Sequence, residues 1–159
     1  MSLKIRVLPV KRLCALNGER KLPAGSAAVL CTMNPVKGQL LEGVRYIHLE
    51  FADVLDPKRP DIFTREHGLQ IKAFVDGLPE HTPLFFCCDS GQSRSTALAA
   101  AFKRYLHQDE GVIWEDARYR PNRWIYSLQC KICGRPSAAL RTNLLVLRNR
   151  WVFKRRLRK

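Results

Sequence analysis

No run of apolar residues in this chain approaches the roughly 20 needed to cross a bilayer as a helix, so no transmembrane helix is expected. The first stretch, MSLKIRVLPVKRL, breaks its apolar residues with Lys4, Arg6, Lys11 and Arg12 and has no signal-peptide core, which makes a cytoplasmic protein the expectation. The six cysteines have no regular spacing, so they read as reduced thiols and not as a disulfide framework. Internal repeats and low-complexity linkers are absent. Acid is scarce: 14 Asp and Glu stand against 28 Lys and Arg, giving a net charge of +14. The last 25 residues hold nine of the basic side chains and no acid, leaving about +5 for the rest. Such a balance suits an anionic partner: a phosphorylated substrate, nucleic acid or acidic lipid.

What is present is enough apolar material, 46% of 159 residues, for one domain with a core. LKIRVLPV, AAVLCTM (Ala27 to Met33) and VRYIHLEF read as short strands, and NPVKGQLLEG between the last two is turn-rich. ADVLDPKRPDIF is a loop. TREHGLQIKAFVDGL predicts a helix capped by Thr64, with Leu69, Phe74, Val75 and Leu78 as its apolar stripe. PLFFCC is wholly apolar, as a buried central strand would be. From Arg94 a helical period follows through Ala97, Leu98, Ala101, Phe102, Tyr105 and Leu106. Asn122 caps another helix, with Trp124, Ile125, Leu128 and Ile132 inward and Gly134 closing it. Ser137 opens a last amphipathic segment carrying Leu140, Leu144, Leu147 and Trp151. Strands alternating with helices predict a single α/β domain, with a mostly parallel sheet flanked by helices. Residues 1–136 would form it, and the basic segment 137–159 would pack on it as a helix.

The chemistry concentrates in CDSGQSR, Cys88 to Arg94, between the buried strand and the helix. Ligands of open α/β sheets bind beyond the carboxyl ends of the strands. Asp89, Ser90, Gly91, Gln92 and Ser93 would form a loop whose backbone N–H groups share one concavity, a nest for an anion. The helix start adds free N–H groups and a positive dipole end. Arg94 can offer a planar fork to phosphate oxygens. Cys88 at the mouth of this field is placed to act as a thiolate nucleophile, and Ser95 can donate to its sulfur.

The stretch CCDSGQSRSTALAAA resembles the signature loop of the cysteine-dependent protein tyrosine and dual-specificity phosphatases, especially the small bacterial ones. The likeness extends over about Val44 to Ile132 and includes IHLEFADV, the TREHGLQIKAFVDGL helix and RPNRWIYSL. It implies hydrolysis of phosphate monoesters through a cysteinyl-phosphate, with Cys88 as nucleophile, Arg94 and residues 89–93 on the phosphate, and neither cofactor nor metal. A phosphorylated protein is the implied substrate. It also implies an aspartate as general acid and base on the loop after the preceding strand. Asp53, directly after YIHLEF, is favoured, with Asp56 as runner-up. One departure stands out: that family usually has histidine before the nucleophile, and here it is Cys87. The low-molecular-weight phosphatases place their cysteine close to the N-terminus, which disfavours that topology, and lipid phosphatases bring lysine into the loop, where DSGQS has none.

A catalytically weak module that holds phosphorylated protein or nucleic acid in the same cradle is the alternative function. Cys87 reads as an apolar filler of the buried strand, ahead of a redox partner. The CKIC pair, Cys130 and Cys133, has no second pair at zinc spacing and reads as core. His48, His67, His81 and His107 are scattered. The basic tail has three readings: a helix packed through its leucines, an amphipathic anchor to anionic membrane without insertion, or a nucleic-acid contact.

Overall fold

In the computed structural model, which describes residues 2–37 and 41–157, hydrophobic pattern sets strand position. The wholly apolar runs β2 (Ala27–Cys31) and β4 (Pro83–Cys88) lie in the middle of the sheet, while β1 (Lys4–Pro9) and β3 (Arg45–Leu49), which carry exposed side chains, form its edges. The order is β1-β4-β2-β3 and every pairing is parallel. Central strands of such a sheet are covered on both faces, which is why their sequences do not alternate. Part of the turn-rich stretch before β3, residues 38–40, lies outside the described residues.

Helix α1 (Val10–Gly18) covers one face, and α2 (Arg65–Asp76), α3 (Arg94–Tyr105), α4 (Gly111–Trp114) and α5 (Arg123–Ile132) cover the other, with α6 (Ala139–Leu157) outside α4 and α5. The larger core, from Phe86 and Leu98 to Ile125 and Trp114, lies on the α3 side; the smaller packs Leu13 of α1 on Ala28, Leu30 and Cys87. The expected α/β domain with a parallel sheet between helices is therefore the architecture of the chain.

Two helices had no counterpart in the sequence reading. In α1 the N-cap is Pro9, which has no side chain to bond the first turn, so the usual start signal is missing. The four-residue α4 is too short for a period to show.

Two apolar stripes differ from expectation. In α2, Thr64 caps as predicted, through a reciprocal pair with His67, but Leu69 is 36% exposed and Ile71 is fully buried. The cause is Gly68. A Cβ there would lie 2.3 Å from Ile132 and 2.8 Å from Gln129, so α5 presses on the bare glycine, and the buried face runs through Gly68, Ile71 and Val75. In α6 the predicted inward residues Leu140, Leu144, Leu147 and Trp151 are 72, 58, 59 and 61% exposed. The helix docks on its opposite side: Asn149 Nδ2 donates to the carbonyls of Trp114 and Tyr119, both at 3.0 Å, and Arg141 reaches buried Glu110 at 2.7 Å. Buried backbone carbonyls require partners, and here an asparagine supplies them.

Candidate active site

The register Pro9↔Cys88↔Cys31 puts Cys88 at the carboxyl end of a central strand. Successive residues of a strand face opposite ways, and the two adjacent cysteines separate accordingly. Cys88 joins the α3-side core, while Cys87 is fully buried in the small cluster with Leu13, Leu30 and Phe85. Burial pushes the Cys87 thiol far up and keeps it neutral. Cys87 is a core filler. The thiol that shares the Cys88 face is Cys31, on the neighbouring strand; burial first, and the adjacent Cys88 second, raise it well above the usual range.

The chain leaves Cys88 through a loop that turns at Gly91, whose φ of +68° favours glycine. A Cβ there would also lie 2.8 Å from the backbone nitrogen of Pro9. Two independent constraints therefore keep this position bare. The loop enters α3 at Ser93, whose side chain makes no cap bond and leaves the first-turn N–H groups of α3 free of it. Ser95, fully buried, lies with its hydroxyl 3.1 Å from Cys88 Sγ.

Arg94 is buried at 8% exposure, an unusual place for a guanidinium. Nη1 donates to the Phe51 carbonyl at 3.0 Å, and Nη2 pairs with the Asp89 carboxylate. Nε is buried and has no partner among the described residues. An orphaned charged donor is costly, and here it adjoins the loop that would hold an anion. Asp89 also accepts from Thr32 Oγ1 and, at 3.0 Å, from Asn34 Nδ2. Burial opposes ionisation of Asp89, but the bonds from Thr32, Asn34 and Arg94 outweigh it and hold the carboxyl below its ordinary range. Asp89, read from sequence as part of the phosphate cradle, thus spends its side chain on bracing Arg94 against the end of β2.

The loop after β3 brings Asp53 to the same place. Asp53 Oδ1 accepts from Ser93 Oγ at 2.9 Å and from Asn122 Nδ2 at 2.8 Å. Asp56 turns elsewhere: its Oδ1 accepts from the Lys58 N–H in a local turn, a common fate of aspartate near proline. Asp61 pairs with Arg59. Asp53 and the loop residues Ser90, Gln92 and Ser93 border a cavity of about 430 Å³. Arg120, Arg123 and Arg150 also line it, and no carboxylate ion pair engages them among the described residues. Arg120 instead stacks over Phe153 of α6 at 4.3 Å.

Sequence reasoning missed Thr32 and Asn34, which hold Asp89, and the three cavity arginines, because each lies far along the chain from Cys88 to Arg94. It gave Asn122 as a helix cap, which it is, accepting from the N–H groups of Trp124 and Ile125; its amide additionally holds Asp53. Cys130 and Cys133 are buried in the core, and no cluster of metal-ligating side chains occurs among the described residues. His48 bonds the Thr32 carbonyl at 2.9 Å and His67 caps α2, so both are structural.

No known family's sequence profile matches the chain, and no curated protein matches it. Among solved structures it is similar to the core catalytic domain of the PP-IP phosphatase SIW14 from S. cerevisiae in complex with citrate, at 12% identity and a TM-score of 0.49, covering 97% of this chain and 88% of that one. It is also similar to Tk-PTP in its active form, at 14% identity and a TM-score of 0.44, covering 98% and 93%. A third is PTPMT1 in complex with PI(5)P, at 14% identity and a TM-score of 0.39, covering 98% and 94%.

Proposed function

We propose that the chain is a cysteine-dependent phosphatase of the tyrosine or dual-specificity kind, hydrolysing phosphate monoesters on phosphorylated protein through a cysteinyl-phosphate. The observation that carries this reading is the set at the mouth of β4: Cys88 Sγ 3.1 Å from Ser95 Oγ, beside a buried arginine whose Nε lacks a partner. A phosphate in the loop would satisfy that Nε–H together with the backbone N–H groups of residues 89–93 and the start of α3.

In the first step the Cys88 thiolate attacks phosphorus and the ester oxygen leaves, taking a proton from Asp53. Arg94 and the backbone donors meet the charge on the equatorial oxygens throughout. In the second step Asp53, now ionised, accepts a proton from water as the water attacks the thiophosphate. The S–P bond breaks, and Ser95 donates to the departing thiolate. Inorganic phosphate leaves and Cys88 is regenerated. The hydrogen bonds from Ser93 and Asn122 aim the Asp53 carboxyl at the loop, and this supports Asp53 over Asp56 as acid and base. Arg120, Arg123 and Arg150 suit acidic groups flanking the phosphorylated residue.

A catalytically weak phosphate-holding module has one observation in its favour. Asp89 occupies Nη2 of Arg94, so an incoming phosphate competes with a carboxylate for that donor. Hydrolysis of an aryl phosphate separates the two. The enzyme reading requires turnover by the wild type that Cys88→Ser abolishes. The holding module requires phosphate binding without turnover.

A further inference from the structure

Helix α6 has two apolar faces, and the fold uses one. Taking about 100° per residue, Leu140, Leu144, Leu147 and Trp151 fall within roughly 60° of one another. The residues that dock on the domain, Thr142, Leu145, Val146 and Asn149, centre on the opposite side. Among the described residues the outward stripe contains three leucines and a tryptophan, all more than half exposed, and no polar side chain. Arg141, Arg148 and Arg155 border it on one edge, Arg150 and Lys154 on the other. Part of this charge is engaged: Arg141 pairs with Glu110, Arg148 with Glu115 at 3.0 Å, and Arg155 lies over the Trp151 ring at 5.0 Å. Lys154 has no carboxylate partner among the described residues.

We propose that α6 seats the protein on the surface of an anionic phospholipid bilayer, with Leu140, Leu144, Leu147 and Trp151 in the interface and the flanking cations on the headgroups. Leucine and tryptophan on one face with Lys and Arg beside them is the composition of a helix lying in the interfacial plane, and the indole is the ring best suited to that boundary. A second copy of this chain is disfavoured, because joining two such faces would bring together Arg150, Lys154 and Arg155 of both rims, and α6 itself contributes no acid between them. A helical protein partner would call for complementary charges at the flanks, and nucleic acid gains nothing from three exposed leucines. Arg150 both borders the stripe and lines the cavity beside Asp53, so a seated helix holds the cavity on the flank of the lipid-facing surface. The inference stands apart from the chemistry at Cys88.

The test is co-sedimentation of the full chain with vesicles of phosphatidylcholine plus phosphatidylglycerol, and with vesicles of phosphatidylcholine alone. Wild type is expected to sediment with the anionic vesicles, to lose most of that binding in high salt, and to bind the neutral ones at least tenfold more weakly. Leu144→Ser/Trp151→Ser and, separately, Lys154→Glu/Arg155→Glu are each expected to weaken anionic binding at least tenfold, with unchanged thermal unfolding in solution. Quenching by brominated lipid reads the wild type directly: fluorescence should fall with wild type, and much less with Trp151→Phe, since Trp114 is buried and Trp124 is half-buried against the core with its indole bonded to the Phe63 carbonyl. The proposal is overturned if wild type stays in the supernatant with anionic vesicles, if the Leu144/Trp151 variant sediments equally well, or if the stripe proves to close a dimer in solution.

Discussion

Ser93, the last residue of the loop that follows Cys88, donates a 2.9 Å hydrogen bond to Asp53, 40 positions earlier in the chain. That bond and the one from Arg94 to the Phe51 carbonyl tie the loop after β3 to the start of α3. The loops of the proposed nucleophile and the proposed acid are thereby held to each other, which is what proton transfer to a leaving oxygen needs.

Asp53→Asn should lower kcat on an alkyl phosphate about 10²- to 10⁴-fold, the usual range for removing a general acid. The loss should be smaller for a nitrophenyl ester, whose oxygen leaves without a proton. Asp56→Asn should leave both rates within a factor of about two, since its carboxylate serves a local turn. Steady-state rates on the two esters check both statements. A larger effect from Asp56 would move the acid to that residue.

Ser95→Ala should slow breakdown of the thiophosphate more than its formation. A hydrogen bond to a charged group contributes about 1.5–3 kcal/mol, so turnover should fall roughly ten- to a hundredfold. Stopped-flow measurement with a chromogenic ester should show a burst that the wild type lacks or shows less strongly.

Gly91→Ala should destabilise the fold by at least about 1–3 kcal/mol, the range for a non-glycine residue held at positive φ. The 2.8 Å approach to Pro9 adds to this, because the opposing atom is backbone and cannot swing away. Urea unfolding measures the loss, and phosphate affinity should fall with it.

Asp89 gives a pH signature. Its folded carboxyl titrates below the ordinary value of about 3.9, so its contribution to stability is complete above that value and is lost as pH falls through the folded pKa. Asp89→Asn should therefore lower the melting temperature at pH 7, and the gap to wild type should narrow steadily below about pH 4. Paired thermal melts across that window check the sign. A gap that widens in acid would contradict the bracing role.

The strand, loop and helix around Cys88 were legible because the local signals agree there: a continuous apolar run, small residues, then a helical period. Thr64 and Asn122 were legible as caps for the same reason. Legibility failed where a distant residue decided the outcome. Leu69 looks like core until Ile132 arrives over Gly68. The leucines of α6 look like its docking face until Asn149 finds two buried carbonyls. The side chain of Asp89 has no visible task in the sequence until Thr32 and Asn34 fix its carboxylate on Arg94. Periodicity reports how apolar a face is, and in α6 two faces compete.

The covalent intermediate tests the central claim most directly. The protein is mixed with an aryl phosphate, quenched in acid within the first turnovers and digested, and the peptide holding Cys88 is weighed. The account predicts one added phosphoryl group on Cys88 in the wild type, more of it in Asp53→Asn, and none in Cys88→Ser. Turnover with an unmodified Cys88 peptide, or turnover that survives Cys88→Ser, would contradict it.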